Sequence, residues 1–185
     1  MTVHFLANDT IFLRDVNDND VNDRYYQWLN DPQVNQFLET RFIPQSKAQI
    51  AEFVQSKAGK SDEILLAICH KVQNLHIGNI KLGPINWVHR RAEISLFIGD
   101  KNFWGQGIAQ QAIELVSHFA FSQLNLNKLM AGAYENNIAS IKAFQRCGFI
   151  IEGTIADYAL VNNQGISLIK LGITAKQHQE KHKVI

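Results

Sequence analysis

Hydrophobic and polar positions along this chain fall into two kinds of segment that succeed one another in a regular order. Residues 10–16 alternate apolar and polar side chains, the pattern of a half-buried strand. Short apolar runs bounded by turn residues at 63–70, 75–82, 91–98, 128–134, 149–161 and 166–173 also read as strands. Helical spacing marks 20–30, 31–37, 46–58, 106–123 and 137–146. In 106–123, Ile108, Ala112, Leu115, Val116, Phe119 and Ala120 share one face; in 137–146, Ile138, Ile141 and Phe144 do so.

Local signals agree with these elements. Pro32 takes the favourable first position of its helix. Ser46 and Gln49 have the spacing of a capping box. Asn137 reads as an N-cap and Gly148 as the residue just past a helix end. A turn at Gln73-Asn74 joins two strands, and Asn162-Asn163-Gln164-Gly165 closes a last hairpin. Residues 38–44 read as irregular, and 174–185 as a polar end that frays. The order is one strand, three helices, three strands, then helix, strand, helix and two strands. It predicts an α/β (mixed α+β) sheet with helices on both faces, in one domain over residues 1–175 with a polar tail at 176–185.

Composition narrows the function. With 185 residues and 46% hydrophobic side chains, the chain can bury a substantial core. A net charge of +1 argues against a general binder of nucleic acid or anionic membrane. No apolar run approaches the ~20 residues of a membrane span. The start lacks a charged segment followed by a long apolar one, so no signal peptide is expected. Cys69 and Cys147 read as two reduced thiols, which points to the cytoplasm.

The candidate chemistry centres on Trp104-Gly105-Gln106-Gly107-Ile108-Ala109, between the strand that ends at Ile98 and the longest helix. A strand, a glycine turn and a helix N-terminus together make an anion site, because unpaired N–H groups and the helix dipole point at one place. No Lys-Ser or Lys-Thr follows Gly107, which excludes a Walker loop. Gln110 stands where a Rossmann turn needs glycine. By itself the turn could equally be a plain strand-to-helix connection. A second segment follows about 30 residues on: Asn137-Ile-Ala-Ser140, leading through Phe144 to Gly148-Phe149.

These two segments, in this order and spacing, resemble the GNAT acetyltransferase superfamily and within it the RimJ/RimL type. The resemblance spans residues 10–173. The family's turn is Gln/Arg-x-x-Gly-x-Gly/Ala; Gly107 and Ala109 match it, while Trp104 departs from the usual Gln or Arg. The resemblance implies acetyl-CoA as co-substrate, a primary amine as acceptor (small molecule or peptide), and a homodimer as a common assembly. It also implies that strands 91–98 and 128–134 splay apart to admit the pantetheine arm. The implied co-substrate residues are Phe97, Ile98, Trp104, Gly105, Gln106, Gly107, Ile108, Ala109, Asn137, Ser140 and Phe144. No metal is implied.

Acetyl transfer to an amine needs the amine neutral, the developing oxyanion stabilised and the departing thiolate protonated. Glu93, on the strand that would flank the acetyl group, is the first candidate base. Asp157 is the second, and His89, with an imidazole suited to neutral pH, the third. Where many relatives place a tyrosine acid this chain has Phe144, which leaves Ser140 as the candidate acid. Tyr25, Trp28, Phe37, Arg41, Trp87 and His89 are candidates for the acceptor side. The acidic run Asp15, Asp18, Asp20 and Asp23 reads either as a solvated loop or as an attractor for a cationic amine. Beside the general amine acetyltransferase stand two narrower acceptors, a polyamine and a nucleotide-linked amino sugar. A CoA-binding sensor without catalysis is a further alternative.

Overall fold

The computed structural model describes residues 4–161 and 163–183; Asn162 of the expected hairpin turn, the first three residues and the last two lie outside it. Its eight strands are β1 (Leu6–Ala7), β2 (Ile11–Asp15), β3 (Ile64–His70), β4 (Leu75–Leu82), β5 (Arg91–Ile98), β6 (Lys128–Tyr134), β7 (Ile150–Val161) and β8 (Gln164–Thr174). They form one sheet in the order β1-β2-β3-β4-β5-β6-β8-β7, antiparallel except where β5 meets β6. The helices are α1 (Asp23–Asn30), α2 (Pro32–Asn35), α3 (Lys47–Lys57), α4 (Ile108–Ser122), α5 (Ile138–Arg146) and α6 (Ala175–Lys183).

Caps set the helix starts. The Ser46–Gln49 capping box forms at α3. Gly107, in the left-handed region at φ 74°, opens α4. At α5 the Asn137 side chain accepts from the Ser140 N–H, and Gly148, at φ 94°, follows the helix end. The helix expected over 20–30 starts later. Residues Asp18–Asp20 form a 3-10 turn capped by Asn17, and Asn22 then caps α1 by accepting from Arg24 and Tyr25 N–H. Two asparagines in close succession thus break one amphipathic stretch into two.

Three other segments differ from expectation. A two-residue β1 precedes the first expected strand. Glu39–Phe42, within the stretch read as irregular, is a 3-10 turn. Residues 175–183, expected to fray, form helix α6. Thr174 and Gln177 cap it reciprocally, and His178 packs its ring against Phe121 at 5.0 Å between centroids. The polar composition hid a Thr-x-x-Gln start signal.

The sheet separates two apolar layers. On one face, α4 and α5 bury Ile108, Ala112, Ile113, Val116, Ile141 and Phe144 against Ile80, Ile94, Leu129, Ala131 and Leu171. On the other, α1, α2 and α3 close Tyr25, Trp28, Leu29, Val34, Ile50 and Val54 into a smaller cluster that Phe97 joins from the sheet. Cys69 and Cys147 are unpaired and buried, and burial pushes their thiols up to about 11 and about 12. Among the described residues no helix is long and apolar enough to cross a membrane.

Candidate active site

The parallel pair β5–β6 is joined over only three positions, Arg91 with Lys128, Ala92 with Leu129 and Glu93 with Met130. Beyond Glu93 the two strands part. β5 continues against β4, from Ile94 opposite Leu82 to Ile98 opposite Gly78, while β6 stays with β8 as far as Tyr134. The gap opens a cleft of about 1030 Å³ that runs from Glu93 to the Gly105–Gly107 turn.

At the turn, a Cβ built on Gly105 or Gly107 would meet nothing within 4 Å, so the space in front of the backbone is open. No side chain caps α4, and its first-turn N–H groups remain available to an anion. Trp104 does not supply a phosphate contact in place of the usual Gln or Arg. Its indole N–H donates to the Ile98 carbonyl at 2.8 Å and ties the turn to the end of β5. Phe97, Ile98, Trp104, Gly105, Gly107, Ile108, Ala109, Asn137, Ser140 and Phe144 all line the cleft. Gln106 does not: its amide turns back to donate to the Asn102 carbonyl at 2.6 Å.

Strand pleating divides the cleft into two sides. Ile94, Leu96 and Ile98 face the layer of α4 and α5, where the glycine turn lies. Glu93, Ser95 and Phe97 face the layer of α1 to α3, together with Asn79 and Lys81 of β4, Gly132 and Tyr134 of β6 and Lys170 of β8. Glu93 thus sits where the strands separate, half-exposed on the second side, with Lys170 Nζ 3.9 Å from its carboxylate. Ser140 lies across the gap, in the first turn of α5.

Of the other candidates, Tyr25 and Phe37 line the cleft. Burial pushes the Tyr25 phenol up to about 12, so it remains a donor. Trp28 is core: it packs flat on Gly99, where a Cβ would sit 2.1 Å from the indole, and edge-on to His76 at 5.1 Å. Arg41 braces the covering turn, donating to the Leu38 carbonyl at 2.9 Å with its guanidinium 4.1 Å from the Phe42 ring centroid. Trp87 is exposed and donates to the Ser61 carbonyl, and His89 lies in the exposed turn before β5; neither lines the cleft. Asp157 is displaced too. It occupies an exposed bulge of β7 at φ 50°, outside the cleft lining. The acidic run is mostly engaged: Asp20 is buried in a two-bonded pair with Arg14, Asp23 meets Lys47, and Asp18 accepts from Gln55.

Sequence reasoning missed three lining residues. Tyr134 ends β6, and its hydroxyl donates to Glu39 of the covering 3-10 turn; burial and then that carboxylate raise its pKa. Asn79 is held by His76 Nε2, 2.8 Å from its Oδ1, and His76 in turn lies beside Asp20. Alternation along 128–134 would have put Tyr134 on the Glu93 face, but nothing local singled out Glu39 or Asn79.

The model of the acetyltransferase (GNAT) domain matches residues 10–150. The chain belongs to the GNAT acetyltransferase family. Among relatives of this GNAT chain, the spermidine N(1)-acetyltransferase of Escherichia coli (strain K12) is 33% identical over 106 residues, 57% of this chain and 56% of that protein. The match therefore spans about half the length of that relative. The uncharacterized N-acetyltransferase YoaA of Bacillus subtilis (strain 168) is 30% identical over 162 residues, 85% of this chain and 89% of that protein. In fold, this GNAT domain superposes with a TM-score of 0.83 on the spermidine N-acetyltransferase from Vibrio cholerae in complex with CoA and spermine. That match covers 93% of this chain and 99% of the other at 21% identity. The relatives are thus not specifically of the RimJ/RimL type that the motifs brought to mind.

Proposed function

We propose that this protein transfers the acetyl group of acetyl-CoA to a primary amine. The observation that carries the reading is the gap between β5 and β6, which joins an open glycine turn at one end to a carboxylate at the other. Backbone N–H groups at Gly107–Ala109 suit the diphosphate, and the unpaired edge of β5 suits the extended amide-bearing arm. Family membership and the relatives' names support an amine acceptor.

On this reading Glu93 takes a proton from the acceptor nitrogen as the new N–C bond forms and the C–S bond breaks. Ser140 gives a proton to the departing sulfur and regains one from solvent, to which Glu93 releases the proton it took. Tyr25, Phe37, Glu39 and Tyr134 shape the acceptor side. Juxtaposition of the two bound reactants supplies much of the acceleration.

The test is release of free CoA thiol from acetyl-CoA in the presence of an amine panel. Amine-dependent release supports the reading. Tight CoA binding without release for any amine would replace it with a non-catalytic CoA binder.

A further inference from the structure

The electrostatics of the acceptor side narrow the amine, given the transfer reaction above. A second, smaller pocket of about 300 Å³ adjoins the cleft at Glu93, which lines both. Its wall is Pro84, Ile85, Asn86, Arg91 and Met130. Arg91 lies two residues before Glu93 and so shares its face of the sheet. The Arg91 side chain makes no ion pair or hydrogen bond among the described residues. On the other flank of Glu93, Lys170 reaches over β6 because its cross-strand neighbour is glycine; its Nζ would lie 3.7 Å from a Cβ on Gly132. Lys81 lines the cleft as well, but it shares Glu63 with Lys57 and Lys60, which lie outside the cleft lining. Around Glu93, then, two cations, Arg91 and Lys170, flank one carboxylate, and Glu39 already accepts from Tyr134.

A polyamine brings only positive charge, and a wall that sets Arg91 and Lys170 on either flank of Glu93 gives its further ammonium groups no counterion and repels them. An acceptor that carries an oxyanion near its amine suits the wall: the amine meets Glu93 and the oxyanion meets Arg91 or Lys170. We propose that the acceptor is an amine bearing a carboxylate or phosphate, held by its oxyanion in the pocket beside Glu93, and that Arg91 is the residue that selects it.

Matched pairs isolate the charge. Cadaverine and lysine differ by a carboxylate; glucosamine and glucosamine 6-phosphate differ by a phosphate. UDP-glucosamine carries its diphosphate on C1, beside the C2 amine and nearer to it than the 6-phosphate, and spermidine represents the polyamines. Thiol release should give the oxyanion-bearing member of at least one pair a kcat/KM about tenfold to a hundredfold higher. Arg91→Gln should erase most of that preference through KM rather than kcat. Thermal stabilisation by CoA reports whether the variant is folded, and Arg91→Lys should restore part of the preference. Which pair responds tells carboxylate from phosphate. Release that is fastest with spermidine or cadaverine, or a preference that survives Arg91→Gln, overturns the proposal and leaves acetyl transfer standing. If no amine releases thiol, calorimetric titration of the same six compounds onto the CoA-loaded protein decides. Tighter binding of the anionic members sustains the selectivity while acetyl transfer fails; equal or absent binding overturns both.

Discussion

On the proposed reading, a single carboxylate at the fork of two strands carries the base chemistry at the scale of one residue. Glu93 is the last position at which β5 pairs with β6, so the backbone fixes its Cα while its side chain faces the open cleft. Glu93→Gln keeps the size and removes the proton acceptor. Its kcat/KM should fall by about 10²–10³, with the loss shrinking at high pH as the acceptor amine deprotonates unaided. A pH–rate profile of the variant checks this; parallel profiles for the two proteins would remove Glu93 from the base role. The position of Glu93 in the cleft was legible in the sequence, because its strand and the family resemblance placed it there. Asp157 looked equivalent on the same grounds. A bulge between Ile155 and Ala159 puts it outside the cleft, and no local pattern foretells a bulge in an alternating strand.

The decisive element is the turn from β5 into α4. Gly105 and Gly107 both hold φ near 74°, which a side chain tolerates poorly and a β-branched one worst. Gly107→Val adds left-handed strain of about 1–2 kcal/mol and fills the space before the first-turn N–H groups. CoA affinity, measured by calorimetry, should drop at least about tenfold. Unaltered affinity in a folded variant would take the diphosphate away from this turn. Glycine spacing and the following apolar face announced this element, as did the Asn137 cap for α5. By contrast, the covering segment between α2 and α3 carried no strong period. Its cleft-lining carboxylate, Glu39, is placed by a long-range bond to Tyr134 that no local pattern signals. The same limit applied to α6, whose cap is explicit in Thr174 and Gln177 but whose composition suggested solvent.

At the scale of the whole molecule, a buried polar chain ties the N-terminal strands to the cleft wall. Burial drives the His76 imidazole below its ordinary 6.5 despite the nearby Asp20. Burial opposes ionisation of Asp20 as well, but Arg14 and the Asn17 N–H outweigh it and hold the carboxyl below 3.8. For both groups the unfolded chain binds a proton more readily than the folded one. Stability therefore declines as pH falls from about 6.5 through His76, and again below about 3.8 through Asp20, at up to about 1.4 kcal/mol per pH unit for each proton. Urea midpoints at pH 7.5 and pH 5 should show the first decline, and His76→Gln should flatten it. A midpoint that is constant or higher at pH 5 contradicts the sign. The fold class and most of the succession of helices and strands along the chain were readable from period and caps. This chain was not, because Arg14, Asp20, His76 and Asn79 are brought together by pairing between β2, β3 and β4 and not by proximity in sequence.

The brevity of the β5–β6 seam has a mechanical corollary. Five strands lie to one side of it and three to the other, and the backbone stitches them over three rungs only. An extended guest wedged along Ile94–Ile98 would act as a surrogate rung, so binding would weld two partly independent halves into one cooperative body. Catalytic loading and rigidity would then rise together, by the same handful of amide hydrogen bonds.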